Sequence, residues 1–142
     1  MRKSRIAGGL AAVLGADSAA HLYWTTGATW PAGDAAGLSQ AVLGADVPFT
    51  PPVLVPLAAV LAGGAALVLA QGGLVRLPAP AALPRWGTRA VAAGLTLRAA
   101  AGLVWATGTG METGSVFYAL NVALYTPLCL AAAAAAWHLG RA

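Results

Sequence analysis

Four apolar stretches, 6–24, 53–75, 88–106 and 115–139, take up most of this 142-residue chain and leave few folds open to it. A helix needs about 20 residues to cross the hydrocarbon core of a bilayer, and each stretch is near that length. Of all residues 59% are hydrophobic and 8% charged, against about 25% charged in an average soluble domain. Such a chain cannot clothe a water-soluble globule. The expected fold class is all-α: one domain over 1–142, an integral membrane four-helix bundle.

Charge placement orients that bundle. With four spans, Arg2, Lys3, Arg5, Arg76, Arg85, Arg89 and Arg141 fall on one side, and Asp34, Asp46 and Glu112 on the other. Basic residues stay on the cytoplasmic side, so both termini are expected to be cytoplasmic, in the cell's inner membrane. Trp24, Trp30 and Trp105 then mark the outer boundary, and Trp86 and Trp137 the inner one. The basic start, the apolar run after it and Ser18-Ala19-Ala20 also match a signal peptide with its cleavage site. The apolar pattern continues past that site to Tyr23-Trp24, so a retained helix is expected.

The connections carry less information. In 25–52, Asp34 is placed to N-cap a short helix over 35–43 lying on the membrane surface. Pro56 is expected in the first turn of the second span, where its missing N–H costs nothing. Residues 76–89 are expected to form a Pro-rich loop, and Pro127 to kink the last helix. Gly63-Gly64 and the alanine run 131–136 offer smooth faces for close helix packing.

Against this apolar frame, Asp17, His21 and Arg98 stand out. Ionisable groups are costly within a membrane and mark function when they occur there. Asp17 lies seven residues from Trp24 and Arg98 seven from Trp105, so both fall about 10 Å below the outer boundary. Asn121 and Tyr125 enter the fourth span from the same side at similar depth. Matched depth predicts an Asp17–Arg98 ion pair, with His21, Asn121 and Tyr125 in its hydrogen-bonding shell. Gly94, Arg98, Gly102 and Trp105 share a helical face by spacing. The bland alternative is a polar pair that only fixes helix register.

Several chemistries drop out. Cys129 is the only cysteine, which excludes an intrachain disulfide and a cysteine-pair redox centre. His21 and His138 differ in depth by roughly 25 Å, too far to share a haem. No His/Cys/carboxylate set has metal-site spacing, and no Gly-rich phosphate loop joins a strand to a helix. No basic stripe with interleaved aromatics offers a nucleic-acid surface. No cofactor, metal or nucleic-acid partner is expected.

His21-Leu22-Tyr23-Trp24, followed by Gly27-Ala28-Thr29-Trp30-Pro31, resembles a motif of the domain of unknown function 3995 family. That family comprises small, uncharacterised bacterial four-span membrane proteins. Leu97-Arg98 and Tyr125-Thr126-Pro127-Leu128-Cys129-Leu130 are similar to its other two motifs. The family pattern has an Asp four residues before the motif tyrosine; here that position is Asn121, and Asp17 is placed to supply the missing negative charge. The resemblance implies a four-helix membrane fold and no activity. It supports treating His21, Trp24, Arg98 and Tyr125 as one site.

The leading functional expectation is a polar pocket in the outer half of the bundle, built from Asp17, His21, Trp24, Arg98, Asn121 and Tyr125. It would bind a lipid headgroup or small amphiphile, with Arg98 as bidentate donor to an anionic group. One alternative is a membrane enzyme or proton-coupled transporter using Asp17 and His21 as an acid–base pair. The other is a structural or accessory subunit that meets a membrane protein partner at small-residue faces.

Overall fold

A computed structural model describes residues 2–141, and among them every regular element is helical. In order these are α1 (Arg2–Trp24), α2 (Ala35–Leu43), α3 (Pro51–Gln71), α4 (Ala82–Ala106), α5 (Val116–Leu120), a π-helical turn (Asn121–Tyr125) and α6 (Thr126–Arg141). The last three run on as one helix, Val116–Arg141. Along its length α1 packs against α3, and α4 against α6; α3 meets α4 and α1 meets α6, leaving α1 and α4 across the diagonal.

The helices associate through small residues. Ala7, Leu10, Ala11 and Leu14 recur at three- and four-residue intervals on α1 and bury one stripe. They meet Ala65 and Val68 of α3, Ala92 of α4, and Ala132, Ala136 and Leu139 of α6. Alanine at these contacts lets the backbones approach closely, as membrane helices do. This apolar core fills the half of the molecule that contains the start of α1 and the end of α6. Gln71 Nε2 donates to Leu139 O (3.1 Å) and Arg89 Nε to Gly140 O (3.0 Å), which ties the ends of three helices together there. In the other half polar side chains join the buried apolar ones: Ser18, His21, Asn121 and Thr126. Ser18 Oγ donates to Ala58 O at 2.8 Å and stitches α1 to α3.

Of the four expected spans, length and apolarity single out two among the described residues, Pro51–Gln71 and Val116–Arg141. They point to association with a membrane. In α1 the apolar run is diluted by Asp17, Ser18 and His21, and in α4 by Thr88, Arg89, Thr96 and Arg98.

Three local expectations need correction. Residues 82–89 are not loop: α4 begins at Ala82, so Arg85, Trp86 and Arg89 lie on its first turns. Pro84, which suggested a loop, sits where a helix tolerates the missing N–H. Because α3 begins at Pro51, Pro56 falls in its second turn. Pro127 does not simply kink the last helix. Its ring would clash with the carbonyl of Ala123, and the preceding turn widens to the π form, with Thr126 N–H reaching Asn121 O.

The expected short helix forms over Ala35–Leu43. Asp34 caps α2 through its side chain, Oδ1 accepting from Gly37 N at 2.7 Å. Gly44 ends it at φ 67°, a left-handed turn. A Cβ there would also sit 2.7 Å from the Phe117 ring, so glycine is required on both grounds. Leu38 and Phe117 are buried as α2 lies against α5.

Candidate functional site

The π turn sets the site. By widening at residues 121–125 it carries Asn121 into the interior, where the side chain is fully buried. Such turns are frequent at functional sites. Asn121 Nδ2 donates to Gly102 O at 2.9 Å. Its Oδ1 accepts from Thr126 Oγ1 at 3.0 Å and from Arg98 Nη1 at 3.3 Å. These partners fix the amide orientation. Gly102 makes the close approach possible: a Cβ there would overlap Thr126 Oγ1 and come within 3.0 Å of Arg98 Nη1 and 3.1 Å of Asn121 Oδ1.

Arg98 is half-buried, and aromatic rings flank its guanidinium. Its central carbon lies 5.1 Å from the centroid of Trp105 and 5.8 Å from that of Tyr125. Trp105 stands seven residues on, two helical turns along the same face of α4. Such cation–π contacts are worth about 0.5–2 kcal/mol each, depending on desolvation. Among the described residues no carboxylate lies within ion-pair distance of Arg98. A guanidinium has five N–H donors, and Arg98 uses one of them, on a neutral amide.

Asp17 and His21 form a second group one helical turn apart on α1. His21 Nδ1 lies 2.8 Å from Asp17 O and 3.2 Å from Asp17 Oδ1. Both neighbours are acceptors, so Nδ1 carries the proton and the neutral ring presents Nε2 as an acceptor. His21 is buried while the Asp17 side chain is 53% exposed. The His21 ring meets Trp24 edge-on with centroids 5.2 Å apart, and Trp24 in turn packs on Phe49. Trp24 Nε1 donates to Trp30 O at 3.0 Å, tying the end of α1 to the loop after it.

The six expected residues are thus brought together in two sets of three, and the Asp17–Arg98 ion pair does not form. Asp17 pairs with His21, and Arg98 turns to Asn121, Trp105 and Tyr125. Matched depth is not sufficient for contact when α1 and α4 lie across the diagonal. Tyr125 stands beside Arg98, its ring centroid 5.8 Å from the guanidinium carbon. Its hydroxyl donates to Ala41 O on α2 at 3.2 Å. Beside it, Phe117 packs on both Trp105 and Tyr125. Phe117 and Ala41 also line a groove of about 490 Å³ between α2 and α5, with Gln40, Ser115 and Leu120.

Sequence reasoning missed Thr126 as a hydrogen-bonding member. Spacing set Trp105 on the face of Arg98 but left it out of the binding set, where its ring now lies against the guanidinium. Thr126 was hidden, because an α-helical reading places it away from Asn121 and only the π turn reunites them. Gly94, grouped with Arg98 by spacing, is exposed and has no side-chain neighbour.

No curated protein and no solved structure matches the chain. A family model described as a protein of unknown function (DUF3995) matches residues 14–136, a stretch that contains every residue of both sets, and the chain belongs to that family.

Proposed function

We propose that the protein is a four-span membrane protein of the inner membrane, a single four-helix unit with both termini cytoplasmic. In its outer half Arg98 receives the anionic group of a lipid or small amphiphile. The wholly lipid-embedded reading is supported by what the helices turn outward. Val55, Leu57 and Val60 of α3, Leu97, Leu103 and Val104 of α4, and Val122, Leu124, Leu128 and Leu130 beyond α5 are all exposed. A soluble protein does not leave so much contiguous apolar surface in water.

One observation carries the binding reading: a half-buried guanidinium flanked by two rings that, among the described residues, bonds a neutral amide and no carboxylate. A charge in that setting is expensive unless paired. A phosphate or carboxylate from a ligand would supply the counter-charge as a bidentate partner. His21 Nε2 and the groove beside Phe117 would take its polar and apolar remainder. Native mass spectrometry of gently extracted protein is expected to show one more retained anionic species in the wild type than in Arg98→Gln. Equal retention in both forms, or none in the wild type, would overturn the reading.

A second reading is favoured by the Asp17–His21 pair, whose geometry leaves Nε2 ready to accept a proton. On that reading the protein is an enzyme or proton-coupled transporter. His21→Ala would then abolish a pH-dependent activity while leaving anion retention by Arg98 intact.

A further inference from the structure

At the opposite end from Arg98 the molecule carries a second concentration of positive charge. All eight Lys and Arg residues except Arg98 gather where α1 and α4 begin and α3 and α6 end, whereas the four Asp and Glu side chains lie in the other half. Arg89 anchors this end by donating from Nε to Gly140 O at 3.0 Å. Its guanidinium carbon lies 4.8 Å from the Trp86 ring centroid, and that of Arg85 lies 5.8 Å from the same ring. Trp86 itself is 59% exposed. The neighbour of Gly140, Arg141, lines a groove of about 580 Å³ on α6 together with Ala134, Trp137 and His138. Trp137 is fixed there by donating from Nε1 to Thr96 Oγ1 at 3.0 Å.

The chemistry of this groove is a basic mouth over an apolar wall. Arginine forks match phosphodiester oxygens, and tryptophan sits at headgroup level in membrane proteins. Basic pockets between membrane helices receive acidic headgroups. We infer that the groove on the last turns of α6 is a binding site for an anionic phospholipid, separate from the Arg98 centre. Arg141 in the groove and Arg85, on the α4 face that meets α6 through Arg89–Gly140 and Thr96–Trp137, meet the phosphate, and the Ala134–Trp137 wall lies along the start of an acyl chain. The inference rests on the proposed embedding in a membrane, with this end at the headgroups.

The test uses the full-length protein reconstituted in phosphatidylcholine, with spin-labelled phosphatidylglycerol or spin-labelled phosphatidylcholine as probe. In the Arg98→Gln background, which removes the Arg98 centre's own hold on anionic groups, the protein is expected to restrict phosphatidylglycerol in preference, by roughly fivefold for each arginine engaged. Adding Arg85→Gln/Arg141→Gln should bring phosphatidylglycerol toward the phosphatidylcholine level. The addition leaves Arg89 and its structural bond to Gly140 in place. Equal restriction of both lipids before the addition, or a preference that survives it, overturns the site. Absence of any restricted lipid would instead sink the membrane reading, and the site with it.

Discussion

Gly102→Ala probes the centre of the site with one methyl group. The added Cβ would overlap Thr126 Oγ1 and press on Asn121 Oδ1 at 3.1 Å, so either α4 and α6 separate or Thr126 turns away. Overpacking of this kind costs about 1–3 kcal/mol. The Asn121–Gly102 bond between helices and the Thr126–Asn121 bond within the last helix would be strained or lost, the first worth about 0.6 kcal/mol and the second about 0.5–1 kcal/mol. Together the expected loss is about 2–4 kcal/mol. The assay is reversible unfolding in mixed micelles, followed by tryptophan fluorescence. Thr126→Ala removes the hydroxyl that the new methyl meets, so Gly102→Ala should cost less than about 1 kcal/mol in that background. If the two substitutions instead add within about 0.5 kcal/mol, Gly102 and Thr126 are not in contact and the packing at the π turn is wrong.

Other outcomes follow from single contacts. Tyr125→Phe loses the hydroxyl bond to Ala41 O while Leu38 and Phe117 still hold α2, so amide exchange over residues 35–43 should quicken by roughly threefold; unchanged exchange would remove the α2 link. Thr88 is fully buried and its Oγ1 has no hydrogen-bond partner among the described residues. Thr88→Val should therefore be neutral or stabilising by up to about 1 kcal/mol in the same unfolding assay, and a loss of more than that would reveal a hidden partner. With Cys129 replaced by Ala, single cysteines at Ala79 and Gly110 should label from opposite faces of the membrane, and labelling of both from one face would break the proposed four-span topology.

The helices were legible because their signals are local. Asp34 three residues before Gly37 marks the start of α2, and the stripe Ala7, Leu10, Ala11, Leu14 names the buried face of α1. The site was legible residue by residue but not as an arrangement. Depth can be counted along a helix, whereas the diagonal placement of α1 and α4 depends on which faces pack, and four alanine-rich helices differ little in that respect. Hence Asp17 and Arg98, level by counting along their helices, do not meet. The π turn was hidden for a related reason: Pro127 announces a disturbance, but the response of the preceding carbonyls depends on what Asn121 finds inside. The start of α4 was missed because Pro84 and its neighbours read equally as a loop or as a first turn.

Asn121→Asp is the most direct test of the Arg98 centre. It keeps the shape of the side chain and sets a carboxylate where an amide oxygen now lies 3.3 Å from Arg98 Nη1. Retained anionic ligand is measured by native mass spectrometry, with and without Asn121→Asp, in the Arg85→Gln/Arg141→Gln background so that headgroups at the basic end do not contribute. The form that keeps Asn121 should retain the ligand, and the Asn121→Asp form should lose it, because the new carboxylate occupies the guanidinium as an internal ion pair. A folded Asn121→Asp protein that retains the same anionic species in the same amount would contradict the account.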